Sequence, residues 1–410
     1  MNNDKRTILR GGILIDGSGQ DPIPNAVVII RENEIEAVGP PAGFDLTPFE
    51  GPDHEVIDVG GKAIMPGLIN VHEHLDTHWG KGPYEVRAAQ PVAWHILRAT
   101  RNALLALQEG VTTVRDMSSK QGTNLTMRKA VAEGMIVGPR IVACGQAIAM
   151  TGGHGHLRAV EADGPDEVRK AARTLLKAGA DFIKLMVSGG YIDPSKDQPW
   201  SPQLGEGEMR AAFDEAEKAG KKTTVHAHPP AAIKAAIAAG VDCIEHAALL
   251  DQETAELMAR EGIYLVPTLG ESWEIAYRGE ELGRPAWLIE SSKKHLDFRM
   301  ETYELAVQAG VKMAVGTDVA GSMALEMALM QQGGLSAMEV LVAATRNGAE
   351  VCDLLDVTGT LEVGKSADVI VIDGNPLRNV GDISKVDLVF KEGKMYHPAD
   401  LAKATGISPL

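Results

Sequence analysis

Two histidines two positions apart, His72 and His74, close the apolar run Ile64-Met65-Pro66-Gly67-Leu68-Ile69. On a β-strand, residues i and i+2 point to the same face. Two imidazoles side by side at a strand end could hold one divalent cation, since zinc and similar metals take imidazole nitrogen readily. The same spacing also fits two unrelated loop histidines. Three further apolar stretches end in the same way. Thr223-Thr224-Val225 leads to His226 and His228, Val241-Asp242-Cys243-Ile244-Glu245 to His246, and Met313-Ala314-Val315-Gly316-Thr317 to Asp318. Lys184 stands between apolar Ile183 and Leu185, a setting in which lysine is rarely buried unpaired. Singly, each has a plain structural reading: a hydrogen-bonded histidine, a turn aspartate before Gly321, a surface lysine. Together, several segments delivering ligand-type side chains point to one metal centre.

Between about residue 66 and residue 360, helix-like segments rich in Ala, Leu, Lys and Glu alternate with short apolar strands. Helical stretches are expected at 100–109, 166–178, 207–219, 231–239, 253–260 and 304–309. Strands are expected at 64–71, 110–116, 140–144, 182–186, 223–228, 241–246, 263–268 and 313–318. Alternation of this kind implies βα units and a parallel sheet, and eight such units in about 300 residues predict an α/β (β/α)8 TIM barrel. Active sites in that fold lie at the C-terminal strand ends, where the candidate ligands fall. Both chain ends have a different texture of short β-branched strands and turns, such as Ala26-Val27-Val28-Ile29-Ile30 and Val369-Ile370-Val371-Ile372. Neither end alone has much core to bury. The expected organisation is therefore a composite β-sandwich from 1–64 plus 361–410, and a barrel over 65–360.

Composition narrows the function classes. The formal net charge of −16, from 40 basic and 56 acidic residues, argues against nucleic acid or an anionic membrane as partner. Cys144, Cys243 and Cys352 are scattered, so neither a disulfide framework nor a cysteine-based zinc site is expected. The first residues lack the apolar core of a signal peptide, and no apolar run approaches the ~18 residues of a membrane helix. A cytoplasmic location is expected. Gly152-Gly153-His154-Gly155 lacks the Lys-Ser/Thr of a phosphate loop.

The chain resembles the amidohydrolase superfamily of metal-dependent hydrolases over essentially its whole length. The resemblance rests on Pro66-Gly67-Leu68-Ile69-Asn70-Val71-His72-Glu73-His74, Gly110-Val111-Thr112-Thr113-Val114-Arg115-Asp116, Lys184, His226, His246 and Gly316-Thr317-Asp318. It extends to Gly359-Thr360-Leu361-Glu362-Val363-Gly364-Lys365-Ser366-Ala367-Asp368. It implies two divalent metal ions, most simply Zn2+. His72 and His74 would bind the more buried ion with Asp318, and His226 and His246 the second. Lys184, carboxylated by CO2, would bridge them. Asp318 would also be the general base, moving a proton from the metal-activated hydroxide to the leaving amine. The sequence leaves open whether His226 or His228 is the ligand.

Two glycine-rich loops refine the expectation. Thr151-Gly152-Gly153-His154 and Ser188-Gly189-Gly190-Tyr191 resemble the subgroup of Xaa-Pro and other dipeptidases, carboxypeptidases for N-acylated amino acids and ochratoxin-hydrolysing amidohydrolases. Enzymes of this kind cut an amide next to a C-terminal amino acid. His154, Tyr191, His228 and Arg115 would be the substrate contacts, with donors for its carboxylate. Trp79, Trp94, Trp200 and Trp273, near expected rim loops, hint at an apolar or aromatic acyl group. The expected partner is a small amide or dipeptide, and the resemblance implies a homo-oligomer. Two alternatives stand beside this. One is a single-metal ring hydrolase or deaminase of the imidazolonepropionase type. The other is a non-catalytic assembly protein on the same scaffold.

Overall fold

The apolar run leading to His72 is two strands rather than the single strand expected over 64–71. Ala63–Pro66 and Leu68–Glu73 are separated at Gly67, where an added Cβ would lie 2.1 Å from Thr112 Oγ1. The chain changes sheets there because only glycine allows that approach. These elements come from a computed structural model that describes residues 5–47, 51, 54–77, 86, 88–191, 197–319 and 321–406.

The fold is mixed α/β and divides into two compact units. The first comprises Met1–Asn70, Ala103–Thr113 and Ser336–Leu410. Its eight-stranded sheet joins Arg6–Leu14, Ile23–Arg31, Glu34–Gly39, Glu55–Asp58 and Ala63–Pro66 to Val369–Ile372, Val386–Lys391 and Lys394–Tyr396. Strands from both ends of the chain thus share one sheet. The strand pair Ala63–Pro66 and Val369–Ile372 makes the junction, antiparallel, with Ile64 opposite Val371. Period-two alternation sends Leu9, Val28 and Ile30 into one cluster with Val369, Val371 and Phe390, and Ile8, Val27 and Ile29 into another. Each such buried side chain contributes about 1.5–3 kcal/mol.

The second unit comprises Val71–Asn102 and Val114–Leu335. Its seven-stranded sheet runs Val160–Glu161, Ile148–Ala149, Phe182–Met186, Lys222–Ala227, Cys243–His246, Tyr264–Val266 and Lys312–Met313. Every pairing in it is parallel. Helices connect the strands, as parallel pairing requires. Gly164–Lys177 buries Val168, Ala171, Ala172 and Leu175, one stripe at helical spacing. Gln252–Glu261 opens where Asp251 accepts from the Thr254 N–H and ends at Gly262 with φ 69°, a side-chain cap and a left-handed stop. Phe182–Met186 is buried at all five positions, as expected of a strand covered on both faces.

Three expectations need correction. The last strand is only Lys312–Met313, yet its line continues as backbone bonds: Val71 N–H to Val315 O at 2.9 Å and Thr317 N–H to His72 O at 3.0 Å. Helix Ala286–Gln308 is far longer than the expected 304–309 stretch. Helix Leu269–Arg278 was not expected at all. No helix among the described residues is long and apolar enough to cross a membrane.

Candidate active site

Strand ends of the second unit surround a cavity of about 790 Å3 lined by His72, His74, Lys184, His226, His246 and Asp318, among others. Gly316 sets the approach of two of these segments. A Cβ on it would lie 2.5 Å from His72 Cβ, so glycine is needed for Thr317 and Asp318 to run against the His72 backbone. His246, Ala247, Thr268 and Asp318 all have positive φ, from 48° to 71°. Non-glycine residues there cost of order 1 kcal/mol or more each. The strain gathers where strands turn to present side chains.

His72, His74 and Asp318 form the compact group. Their ligand-type atoms lie within 4.8 Å of one another, with Asp318 Oδ1 at 3.9 Å from His72 Nε2 and 3.6 Å from His74 Nε2. The outward nitrogens are fixed by hydrogen bonds. His72 Nδ1 donates to Glu245 at 2.7 Å and His74 Nδ1 donates to the Ser118 carbonyl at 3.0 Å. Each Nε2 therefore keeps its lone pair toward Asp318. His226 Nε2 faces the Gly189 carbonyl at 3.2 Å, which leaves its lone pair on Nδ1. The His226 ring packs 4.6 Å from His246, centroid to centroid, and His228 lies 5.4 Å from His246.

Electrostatics suit cation binding. Burial pushes His72 down to about 4, and puts His74, His226, His228 and His246 well below the ordinary imidazole range. All five are held neutral, the form that binds metal. Asp318 is raised by burial and by the adjacent Glu271 carboxyl. Lys184 is 1% exposed, its Nζ has no hydrogen-bond partner among the described residues, and burial lowers its proton affinity. A buried amine without a partner costs free energy unless something satisfies it. This donor set fits a divalent metal site.

A match to the amidohydrolase family spans residues 63–396. The chain belongs to the amidohydrolase family. This amidohydrolase is 32% identical over 444 aligned positions to ochratoxinase of Aspergillus niger, covering 99% of the chain and 88% of that protein. It is similar to the crystal structure of a prolidase complexed with N-methylphosphonate-L-proline, with TM-score 0.86, 32% identity, and 96% and 99% of the two chains covered. It is also similar to a Xaa-Pro dipeptidase with bound methionine, with TM-score 0.85, 30% identity, and coverage of 96% and 100%. The protein is a hydrolase of a family that is typically metal-dependent.

The remaining expected site residues divide. His154, Tyr191 and His228 line the cavity; Arg115 does not. Arg115 is 1% exposed, and donates to Glu245 at 2.8 Å and to the Val71 carbonyl at 2.7 Å. It supports the partner of His72 instead of reaching substrate. His154 stacks on His226 at 4.1 Å and pairs through Nδ1 with Asp197 at 2.5 Å. Tyr191 meets the His228 ring at 5.3 Å. Trp94 and Trp200 are exposed, and Trp273 is outside the cavity lining. Trp79 lies outside the described residues. The aromatic wall is Trp287, with Ile275, Leu288 and Met186. Glu271, Trp287 and Arg299 are lining residues that sequence reasoning missed.

Proposed function

We propose that this amidohydrolase is a binuclear, metal-dependent amidase that cleaves the bond next to a C-terminal amino acid, as a dipeptidase or a carboxypeptidase for N-acylated amino acids. An aromatic N-acyl amino acid such as ochratoxin is within its range, given the Trp287 wall. The observation that carries the reading is Lys184: a buried amine with no hydrogen-bond partner among the described residues, lining one cavity with neutral imidazoles and Asp318. A neutral amine adds CO2 with loss of a proton, and the resulting carbamate is an anionic oxygen ligand suited to lie between two cations.

His72, His74 and Asp318 would hold one cation, and His246 with His226 the other. Bound there, the cations would make the scissile carbonyl electrophilic and a water acidic enough to attack at neutral pH. Asp318 takes the proton from that water and returns it to the leaving nitrogen. His154, held by Asp197, offers Nε2 to the carbonyl or the carboxylate of the substrate. His228 and Tyr191 face the departing amino acid. The backbone bonds between Leu68–Glu73 and Val315–Thr317 support a closed (β/α)8 barrel, over 65–360, as the scaffold. The terminal segments, 1–64 plus 361–410, would form the companion β-sandwich.

One observation favours a second reading. Only His72, His74 and Asp318 meet the geometry of a metal group among the described residues, as a single-metal ring hydrolase or deaminase would need. Metal analysis separates the two. Two metals per chain, with chelator-sensitive release of amino acids from Xaa-Pro dipeptides, N-benzoyl amino acids or ochratoxin, is the expected result. One metal per chain and no amide cleavage on that panel would give the second reading.

A further inference from the structure

Helix Ala286–Gln308 walls one side of the cavity and changes chemistry along its length. Leu288, Ser291, Ser292, His295 and Arg299 all line the cavity, at the three- and four-residue steps that put side chains on one helix face. At about 1.5 Å of rise per residue, Leu288 and His295 stand roughly 10 Å apart along that wall. The Leu288 end is apolar, with Trp287 beside it and Ile275 also in the lining. The next two turns are polar. Arg299, one turn further, is spent on the scaffold. Its guanidinium donates to the Ser272 hydroxyl and to the carbonyls of Pro267 and Thr268, tying this helix to helix Leu269–Arg278. The polar turns are left to Ser291, Ser292 and His295.

The His295 ring has a fixed sense. Its Nδ1 lies 2.8 Å from the Ser291 main-chain carbonyl, one turn back. A carbonyl only accepts, so Nδ1 carries the proton and the neutral ring keeps its lone pair on Nε2. Among the described residues no hydrogen bond engages that Nε2, nor the hydroxyls of Ser292 and Tyr191. All three side chains are half-buried and line the cavity. The Tyr191 ring stands 6.3 Å from that of His295 and 5.3 Å from that of His228, centroid to centroid. A row of rings thus leads from the candidate ligand His246, through His228 and Tyr191, to His295.

We infer that His295 is a specificity-determining residue: its Nε2 accepts a hydrogen bond from the side chain of the departing amino acid, so that residues carrying a neutral donor, a hydroxyl or a carboxamide, are preferred there. The inference rests on the amidase reading given above and narrows its substrate class. In that reading the departing amino acid lies against His228 and Tyr191, and His295 is the next ring outward. The Tyr191 and Ser292 hydroxyls border the same space. Each can donate or accept, so a substrate hydroxyl that donates to Nε2 can also receive a hydrogen bond. A side-chain carboxylate would bring only lone pairs to Nε2. An apolar side chain would displace water from these groups and pair with none of them, which costs free energy. The apolar group of the acyl half falls at the Leu288 and Trp287 end of the wall. The two side chains of one extended dipeptide point to opposite sides, so they can reach both ends.

The test compares Ala-Tyr with Ala-Phe, which differ by one hydroxyl on the departing residue, and Tyr-Ala with Phe-Ala, which place the same difference on the acyl side. One neutral hydrogen bond should favour Ala-Tyr by about 3- to 10-fold in kcat/KM, with no such preference for Tyr-Ala. His295→Phe keeps a ring and removes Nε2. With metal content matched to wild type, it should erase the preference for Ala-Tyr, and His295→Gln, which restores an acceptor, should recover part of it. Calorimetric titration with the phosphinate isosteres of Ala-Tyr and Ala-Phe reads the same ratio without turnover. A hydroxyl preference that is absent in wild type, that is equal on the acyl side, or that survives His295→Phe overturns the inference, while cleavage of the dipeptides upholds the amidase reading. No cleavage of any dipeptide or N-acyl amino acid, with a His295-dependent hydroxyl preference in phosphinate binding, overturns the amidase reading and upholds the role of His295.

Discussion

His72 donates from Nδ1 to Glu245 Oε2 across 2.7 Å, and the same carboxylate accepts from Arg115 at 2.8 Å and from the Thr224 hydroxyl. Glu245 is fully buried. Burial opposes its ionisation, but the Arg115 guanidinium and the hydrogen bond from His72 hold its carboxyl well below the usual range. A carboxylate behind a metal-facing imidazole fixes the tautomer and raises the ligand's basicity. Glu245→Gln should therefore weaken metal binding by about 10- to 100-fold. It should also destabilise the metal-free protein by about 3–5 kcal/mol, because Arg115 is left buried without its counter-charge. Chelator competition reads the first effect and denaturant melts the second. Unchanged metal affinity would remove Glu245 from the centre.

Lys184 has a sharper test than loss of activity. If its amine becomes a carbamate ligand, Lys184→Ala should lose metal and turnover together, and added short carboxylates should restore part of both. Metal content against added formate or acetate is the measurement. A variant that keeps its metal would show that the lysine is not a ligand. The deletion leaves a small cavity at a 1%-exposed site but also removes an unsatisfied buried amine, two effects of opposite sign, so metal content rather than stability is the readable quantity.

The six candidate ligands line one cavity, a grouping legible in the sequence because each closes or interrupts an apolar stretch and His72 and His74 are spaced i, i+2. What escaped has physical causes. Helix Leu269–Arg278 follows Thr268 at φ 48° and begins Leu269-Gly270, weak helix signals. Glu271 and Ile275 went unseen with it. Helix Ala286–Gln308 turns Arg299 and Thr302 inward with Ile289 and Leu296, so it shows no clean apolar stripe, and Trp287 and Arg299, which both precede the expected 304–309 stretch, were missed with it. Arg115 was assigned to substrate because its partner stands 130 residues away, a pairing that spacing cannot show. Asp197, which pairs with His154, lies outside every helix and strand expected from the sequence.

Gly190 and His154 make a further prediction. A Cβ on Gly190 would stand 2.3 Å from His154 Cε1. The His154 ring is held between that backbone, the Asp197 carboxylate and the face of His226, so it has little room to yield. Gly190→Ala should displace the ring at a cost of about 1–3 kcal/mol, and a misplaced contact to substrate can lower turnover by about 100-fold. Metal content should be read in parallel, because the displaced ring stacks on His226, a candidate ligand. Full activity in this variant would argue that His154 does not contact the substrate.

Asp116, which is not itself a candidate ligand, offers a pH test. Its buried carboxyl accepts from the Leu75 N–H at 3.1 Å and from the Asn124 amide at 2.9 Å. Burial, then the nearby Asp76 charge, pushes it up to about 7, against about 3.9 when unfolded. Below pH ~3.9 both states hold the proton and folding is unaffected. As pH rises toward 7 the unfolded chain gives up its proton and the folded one keeps it, so this group removes stability through that window and no further above it. Asp116→Asn cannot ionise. Its stability relative to wild type should climb from pH 4 to pH 7, by up to about 1.4 kcal/mol per pH unit, and then level off. The amide must also turn its NH2 toward one of the donors, a penalty of about 1–3 kcal/mol that does not vary with pH. The slope is therefore the readable quantity, not the sign at one pH. Histidines such as His72 titrate in both proteins and cancel in the difference. Urea melts of the pair from pH 4 to 8 would give it, and a flat difference across pH 4 to 7 would mean that Asp116 is ionised in the native fold.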